Sequence, residues 1–215
     1  MLTFAKTIKS YYMKKILLLL CCAFAASTAF AQVPSFGIRG GVNFAKISAS
    51  NGNLTASTNS TTTFAVGVFA DFKFGSLSLQ PALNYTGKGG EGDSGNGGTT
   101  KIKTYYVQVP VNLVYHVPAV FGNVYFGGGP YVGVGVSGKT TITENGSSVS
   151  EDITFGDDQD DIKRTDFGLN GIAGLEFNNG FILGVNYDLG LSNIANENSF
   201  STKNRVFGVS VGFKF

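Results

Sequence analysis

The feature that most constrains this chain is a two-residue alternation of large apolar with small or polar side chains, repeated from residue 36 to residue 215. In the last run, Arg205 is followed by bulky apolar residues at every odd-numbered position. Successive side chains of a strand point to opposite faces, so this period predicts strands with two different surroundings. Eight segments carry the pattern: 36–46, 62–74, 77–85, 104–117, 124–138, 166–177, 181–192 and 205–215.

Composition decides which of two strand architectures the pattern favours. The chain has 30 glycines and only 14% charged residues, and the polar face of its runs carries mainly glycine, serine and asparagine. A soluble β-sandwich, the alternative, exposes a face rich in charge. Large apolar groups outside and small or polar groups inside suit a narrow barrel in lipid, where closure pairs every backbone group. The prediction is therefore an all-β, eight-stranded antiparallel up-and-down transmembrane β-barrel.

The connections between the runs alternate in length. Short connections are predicted at 75–76, 118–123 and 178–180, and long ones, rich in Gly, Ser, Thr and Asn, at 48–61, 87–103, 139–164 and 193–203. Bacterial outer-membrane barrels have short periplasmic turns and longer external loops. The sequence therefore predicts an integral outer-membrane protein whose N- and C-termini are periplasmic and whose long loops are solvated.

The N-terminal segment has the pattern of a secretory signal peptide. Lys14 and Lys15 precede the apolar run 16–31, which ends in Ala-Phe-Ala. We predict a cleaved signal peptide at 1–31, with Met13 as the true start, and a barrel domain at 32–215. An uncleaved anchor is an alternative, although the run is shorter than the roughly 20 residues that a bilayer requires. A lipoprotein processed at Cys21 is another.

Signal cleavage changes the charge and removes the thiols. It takes away four lysines, which leaves 12 basic against 14 acidic side chains, a net charge of −2. A protein near neutrality has no electrostatic footprint for nucleic acid. Cys21 and Cys22 both lie in the signal segment, so no disulfide is expected in the mature chain.

Three segments carry a family resemblance. Residues 127–133 (GGGPYVG), 187–194 (YDLGLSNI) and 203–207 (KNRVF) are similar to segments of the PorT-like outer-membrane β-barrel family of Bacteroidetes. The final strand also resembles the C-terminal signal read by the barrel-assembly machinery, carried here by Phe207, Val209, Val211, Phe213 and Phe215. The resemblance implies the barrel fold, the outer membrane and assembly by that machinery. Because PorT itself is implicated in type IX protein secretion, the resemblance also implies an accessory role in that process.

Parity places several charged residues on the lumen face of the predicted barrel. Six of them lie toward the periplasmic end: Arg39, Asp71, Lys73, His116, Glu176 and Lys214. Asp188 is a further lumen residue. Charges in a narrow lumen are costly unless matched, so we predict a network in which Arg39 meets Asp71 across the first hairpin. The network either fills and solvates the lumen or lines a gated proton or ion path.

Little in the sequence indicates chemistry. His116 is the chain's only histidine, and no G-x-S-x-G elbow is present, so no enzyme activity, cofactor or zinc site is expected. An acidic run is a weak candidate for calcium because it lacks the spacing of an EF-hand. Its candidate ligands are Asp157, Asp158, Asp160 and Asp161.

The predicted function is therefore that of a non-enzymatic outer-membrane barrel with a largely filled lumen. Its external loops would bind a ligand or partner, and its outer wall would contact outer-membrane lipid. Eight strands leave an interior just wide enough for side chains. The alternatives are a narrow passive pore and an accessory barrel in protein secretion.

Overall fold

A computed structural model gives the fold of the chain. It describes residues 33–51, 54–93, 97–144, 146–156, 161–196 and 201–215. The predicted signal peptide, with Met13, Cys21 and Cys22, lies outside the described residues. The chain divides into two compact units, Met1–Pro34 and Ser35–Phe215, and the fold below is that of the second unit. No helix among the described residues is long and apolar enough to cross a membrane.

Ten strands make up the second unit. They are β1 (Ser35–Asn51), β2 (Leu54–Ser57), β3 (Thr61–Phe74), β4 (Leu77–Asp93), β5 (Thr99–Ala119), β6 (Gly122–Glu144), β7 (Ser147–Asp152), β8 (Thr165–Phe177), β9 (Phe181–Gly190) and β10 (Ser201–Lys214). Eight of them coincide with the eight predicted runs. The other two, β2 and β7, are short strands inside predicted long connections.

The eight long strands form a closed ring. Neighbours pair antiparallel in the order β1-β3-β4-β5-β6-β8-β9-β10, and β10 returns to pair with β1. That last ladder runs from Gly37 opposite Lys214 to Ser50 opposite Ser201. Because the ring closes, each long strand has a partner on both sides. The predicted eight-stranded up-and-down barrel is confirmed.

The two faces of the wall differ as the alternation predicts. Large apolar side chains project outward and are exposed, as Val209 (47%) and Leu113 (57%) illustrate. Aromatic residues gather at two levels: Phe64, Tyr85 and Tyr105 contact one another at one level, and Tyr115 packs on Phe126 at the other. Ten residues of a tilted strand between Tyr105 and Tyr115 correspond to roughly 25 Å, the height of an outer-membrane apolar band.

One end of the barrel has short turns. The turn after β3 contains Gly75 and the turn after β8 contains Gly180, both with positive φ (68° and 86°), a backbone conformation that favours glycine. The Gly180 amide donates to the carbonyl of Phe177 at 2.9 Å. We refer to this end as the short-turn end and to the opposite end as the long-hairpin end.

The prediction that the long connections are solvated loops was wrong over much of their length. β4 and β5 stay paired from Gly87 opposite Tyr105 out to Asp93 opposite Thr99. β6 likewise continues to Glu144 and pairs with β7. Threonine-rich segments favour strands even when no apolar alternation marks them, and an existing ladder extends easily into them. β9 ends earlier than predicted, at Gly190 rather than Ser192, and β10 ends one residue early, at Lys214.

Candidate functional site

The lumen is the candidate functional site, and its side chains are arranged in layers. The first layer, at the short-turn end, holds five of the predicted charged residues. Glu176 accepts from Lys73 at 3.5 Å, contacts Lys214, and lies 3.8 Å from His116. Lys214 also lies 3.5 Å from Asp71, which is buried. The strands thus bring Asp71, Lys73, His116, Glu176 and Lys214 together at one end.

The predicted contact between Arg39 and Asp71 is not formed. Arg39 donates instead to Gln80 at 2.9 Å, and its guanidinium carbon lies 4.7 Å from the centroid of the Phe69 ring. The β1–β3 register explains the difference, because Arg39 lies opposite Gly67 while Asp71 lies opposite Ser35. The two side chains are therefore four residues apart along the strands, too far to form the pair. The alternation does not predict this offset, because parity fixes the face of a residue but not the strand register.

An apolar layer lies above the charged one. Six buried side chains from six strands meet inside the barrel: Phe69, Ala82, Val114, Tyr125, Ile172 and Ile182. Ile172 broke the alternation in the sequence because it is a large apolar residue on the polar face. The structure gives its reason, since Ile172 helps to build this layer. The layer does not include β1, whose Arg39 lies beside it with the guanidinium over the Phe69 ring.

The third layer is polar and contains Asp188. Its carboxylate accepts from Gln108 at 3.0 Å and from Asn170 at 2.6 Å, and Asn112 donates to Asn170 at 2.7 Å. A cavity of about 40 Å³ lies beside Arg39 and Asp188. That volume is enough for a few water molecules at most. Asp188 therefore belongs to the lumen, as predicted, but in a different layer from the charged cluster.

A fully buried ion pair forms the fourth layer. Lys88 Nζ lies 2.9 Å from Asp166 Oδ2, and both side chains are completely shielded from solvent. Asn204 and Ser192 also donate to Asp166, at 3.0 Å and 2.6 Å. Lys88 further lies 4.3 Å from the centroid of the Tyr131 ring, which adds a cation–π contact.

This ion pair is not among the residues predicted from the sequence. Lys88 lies in the predicted loop 87–103, for which the alternation predicts no facing. Its signal was nevertheless present, because Ser78, Gln80 and Thr86 share its parity and all three face the lumen. Extending the alternation by three residues would have placed Lys88 inside.

The described residues between β7 and β8, 153–156 and 161–164, lie at the long-hairpin end of the lumen. Phe155 is buried and packs edge-on against Tyr106, with ring centroids 5.9 Å apart. A Cβ on Gly135 would lie 2.4 Å from the Phe155 ring, so only glycine leaves space for it. Arg164 holds the segment by donating to the carbonyl of Phe155 at 3.0 Å.

The chemistry available in this arrangement is limited. His116 bonds to Ser78 at 3.0 Å and faces Glu176, beneath the apolar layer. Among the described residues, no group of three or more His, Cys, Asp or Glu side chains could hold a metal ion. Asp157, Asp158 and Asp160 of the weak calcium candidate lie outside the described residues. Asp161 is described, and its backbone carbonyl accepts from Asn196 at 3.1 Å.

A closed antiparallel ring with an apolar exterior, two aromatic levels and a polar interior defines an integral β-barrel of the bacterial outer-membrane type. Comparison with known families agrees. The chain belongs to the outer membrane protein beta-barrel domain family, whose match covers residues 30–196. It is therefore an integral protein of the bacterial outer membrane. A search of the curated proteins gave no match.

The chain is also similar to solved structures of other barrels. Ail, the attachment invasion locus protein of Yersinia pestis, is 14% identical, with a TM-score of 0.44 over 86% of this chain and all of that one. Neisserial surface protein A is 16% identical, with a TM-score of 0.45 over the same shares. OprG of Pseudomonas aeruginosa is 15% identical, with a TM-score of 0.43 over 86% of this chain and 97% of that one.

Proposed function

We propose that the protein is a non-conducting, non-enzymatic outer-membrane barrel that presents its long hairpins to the outside as a binding or interaction surface. The carrying observation is the packing of the lumen at the apolar layer around Tyr125 and Ile172, with the Arg39 guanidinium beside it on the Phe69 ring. An ion passing this level would exchange its hydration for mainly apolar side chains, and a cation would also meet the charge of Arg39. The buried Lys88–Asp166 pair obstructs the same path a second time.

Single-channel recording in planar bilayers tests this proposal against the narrow pore. The wild-type barrel is expected to give no uniform conductance steps. A variant with Val114→Gly and Ile172→Gly, which removes two side chains of the apolar layer, serves as a comparison. Regular steps from wild type, unchanged in that variant, would contradict the closed lumen and favour the pore.

The proposed orientation places the short-turn end in the periplasm and the long hairpins outside. Support comes from the general asymmetry of such barrels and from the chain itself, in which β5 and β6 continue well past the Tyr85–Tyr105 level. Cysteines introduced at Ser148 and at Ser76 test it in whole cells. Labelling by an impermeant maleimide is expected at Ser148→Cys only, and labelling at Ser76→Cys only would reverse the orientation.

The hairpins are suited to presenting a surface because they are partly ordered by strand pairing. β7 is exposed along its whole length and is joined to β6 by cross-strand hydroxyl pairs, Thr141 with Ser150 at 2.9 Å and Thr143 with Ser148 at 2.8 Å. A preorganised surface loses less conformational freedom when a partner binds.

An accessory role in protein secretion is the second proposal, and it depends on the resemblance to PorT-like barrels. The C-terminal residues Phe207, Val209, Val211, Phe213 and Phe215 all project outward, which suits recognition of that strand by the barrel-assembly machinery. Deletion of the gene tests the secretion role. Loss of exported cargo while other barrels still assemble would support it, and unchanged secretion would leave the surface function.

A further inference from the structure

A basic patch lies on the outer wall where β1 and β10 close the ring. Lys46 and Arg205 are directly opposite each other, and Lys203 lies opposite Ser48, one outward position further along. Asn204 and Val206, the residues before and after Arg205 in β10, are buried and point into the lumen, so Arg205 points outward. We call Lys46, Lys203 and Arg205 the basic patch.

The patch lies at a defined height on the wall. One outward position nearer the barrel centre, Phe44 stacks on Phe207, with ring centroids 6.5 Å apart. Two residues along a tilted strand place Lys46 and Arg205 about 5 Å beyond that aromatic pair. Aromatic pairs of this kind mark the edge of the apolar band, and lipid headgroups begin there. The basic patch therefore lies at headgroup level, facing lipid.

The basic patch has no acidic partner among the described residues. Two like charges directly opposite on one face of an antiparallel pair repel each other. Within the described residues, none of the three cations forms an ion pair with a carboxylate, whereas Lys101 lies 2.8 Å from Glu91 and Lys139 lies 3.8 Å from Asp152. The repulsion between Lys46 and Arg205 is therefore not offset by a described carboxylate.

Arg205 is held ready for a ligand. Its Nη1 donates to two backbone carbonyls, those of Gly190 at 2.5 Å and Asn204 at 3.0 Å. These bonds fix the guanidinium and leave Nη2 and Nε as donors. A fixed guanidinium beside an ammonium group suits a phosphate, which accepts two parallel hydrogen bonds from arginine.

We propose that the basic patch binds the phosphate of an anionic lipid headgroup in the leaflet that surrounds the long-hairpin end. Clusters of lysine and arginine at a membrane surface attract such headgroups by about 1 kcal/mol for each cation. Under the proposed orientation this is the outer leaflet. The bound lipid would screen the repulsion between Lys46 and Arg205 and cover the seam at which the barrel closes.

Native mass spectrometry of the detergent-extracted protein tests this proposal with diphosphoryl lipid A as the probe. We expect a one-to-one adduct that is roughly 10- to 100-fold weaker in the Lys46→Gln/Arg205→Gln variant. The matched control, Lys101→Gln/Lys139→Gln, removes the same charge from lysines that already have acidic partners and is expected to bind like wild type. The heat-dependent gel shift of each variant verifies that it is folded.

Two further arms separate the possible sources of the phosphate. Dephosphorylated lipid A is expected to bind no better to wild type than to the Lys46→Gln/Arg205→Gln variant. Inorganic phosphate is expected to compete only weakly, since it lacks acyl chains to contact the wall. Equal affinity of both double variants for diphosphoryl lipid A, or equally tight binding of free phosphate, would overturn the proposal. Because binding is measured in detergent, failure of the proposed orientation would not affect it.

Discussion

At the scale of single residues, the Lys88–Asp166 pair has the largest energetic consequence. A buried ion pair stabilises little compared with an apolar pair, but removing one partner leaves the other charge buried and unmatched. Asp166 also accepts from Asn204 and Ser192, so its loss leaves those donors without an acceptor.

The Asp166→Ala variant should therefore lower the free energy of unfolding by about 3–5 kcal/mol. Lys101→Ala, which breaks an exposed pair with Glu91, should cost at most about 1 kcal/mol. Urea unfolding of the barrel in detergent micelles or vesicles measures both. An equal loss of unfolding free energy in the two variants would show that burial does not make the Lys88–Asp166 pair more important than the exposed Lys101–Glu91 pair.

The facing of the wall can also be tested at one residue. Val209 points outward in the apolar band, opposite Val42 on β1. Val209→Arg should cost roughly 2–4 kcal/mol because it places a charge in the bilayer interior. Val209→Leu, the control, should be nearly neutral, and Ser210→Arg should be limited instead by the small cavity beside Ser210. If Val209→Arg and Val209→Leu unfold at the same urea concentration in vesicles, the assigned facing is wrong.

At the scale of elements, the described part of the segment between β7 and β8 depends on one side chain. Phe155 packs between Tyr106 and Gly135, and backbone hydrogen bonds surround it, such as that from Ile162 to Thr154 at 3.2 Å. These bonds belong to a segment with few other buried apolar groups, so its local opening is governed by Phe155.

Phe155→Ala should accelerate amide hydrogen exchange in the described residues 153–156 and 161–164 by tenfold or more, while the barrel strands stay protected. Val149→Ala, at an exposed position of β7, is the control and should leave exchange unchanged. Exchange measured by mass spectrometry distinguishes them. Unaltered exchange around Ile162 in Phe155→Ala would mean that the hydrogen bonds alone hold the segment.

The strands show what the sequence could and could not predict. Alternation identified all eight barrel strands because lipid and lumen place opposite demands on neighbouring residues. It did not identify the outer parts of β4, β5 and β6, because the glycines at 87, 89, 90 and 92 and the threonines of β5 and β6 give no alternation of large apolar with polar side chains. Lys88, which lies among those glycines, is for that reason part of a predicted loop.

Strand register was the other feature that the sequence did not predict. The alternation fixed the face of Arg39 and of Asp71, but their separation depends on which residues lie opposite each other in β1 and β3. Shifts of two residues preserve every facing while changing every partner. The charged cluster at the short-turn end was accessible to prediction because its members lie near short turns, where register is fixed.

At the scale of the whole molecule, closure of the ring predicts resistance to detergent. Small barrels of this kind keep their fold in sodium dodecyl sulfate until heated, because all strand edges are paired. Unboiled protein from outer-membrane fractions should therefore migrate differently on gels from boiled protein. The same mobility in both lanes, together with recovery in the soluble periplasmic fraction, would favour a β-sandwich and reverse the facing.

The seam between β1 and β10 also sets an order for biogenesis. β1 is synthesised first among the barrel strands and β10 last, yet they must pair from Gly37 opposite Lys214 to Ser50 opposite Ser201. A premature stop anywhere before β10 therefore yields a sheet with two open edges, which lipid cannot satisfy and which are prone to aggregate in the aqueous periplasm. The barrel can close only after β10 has been synthesised. Until then, protection of the open strands from proteases must come from other proteins.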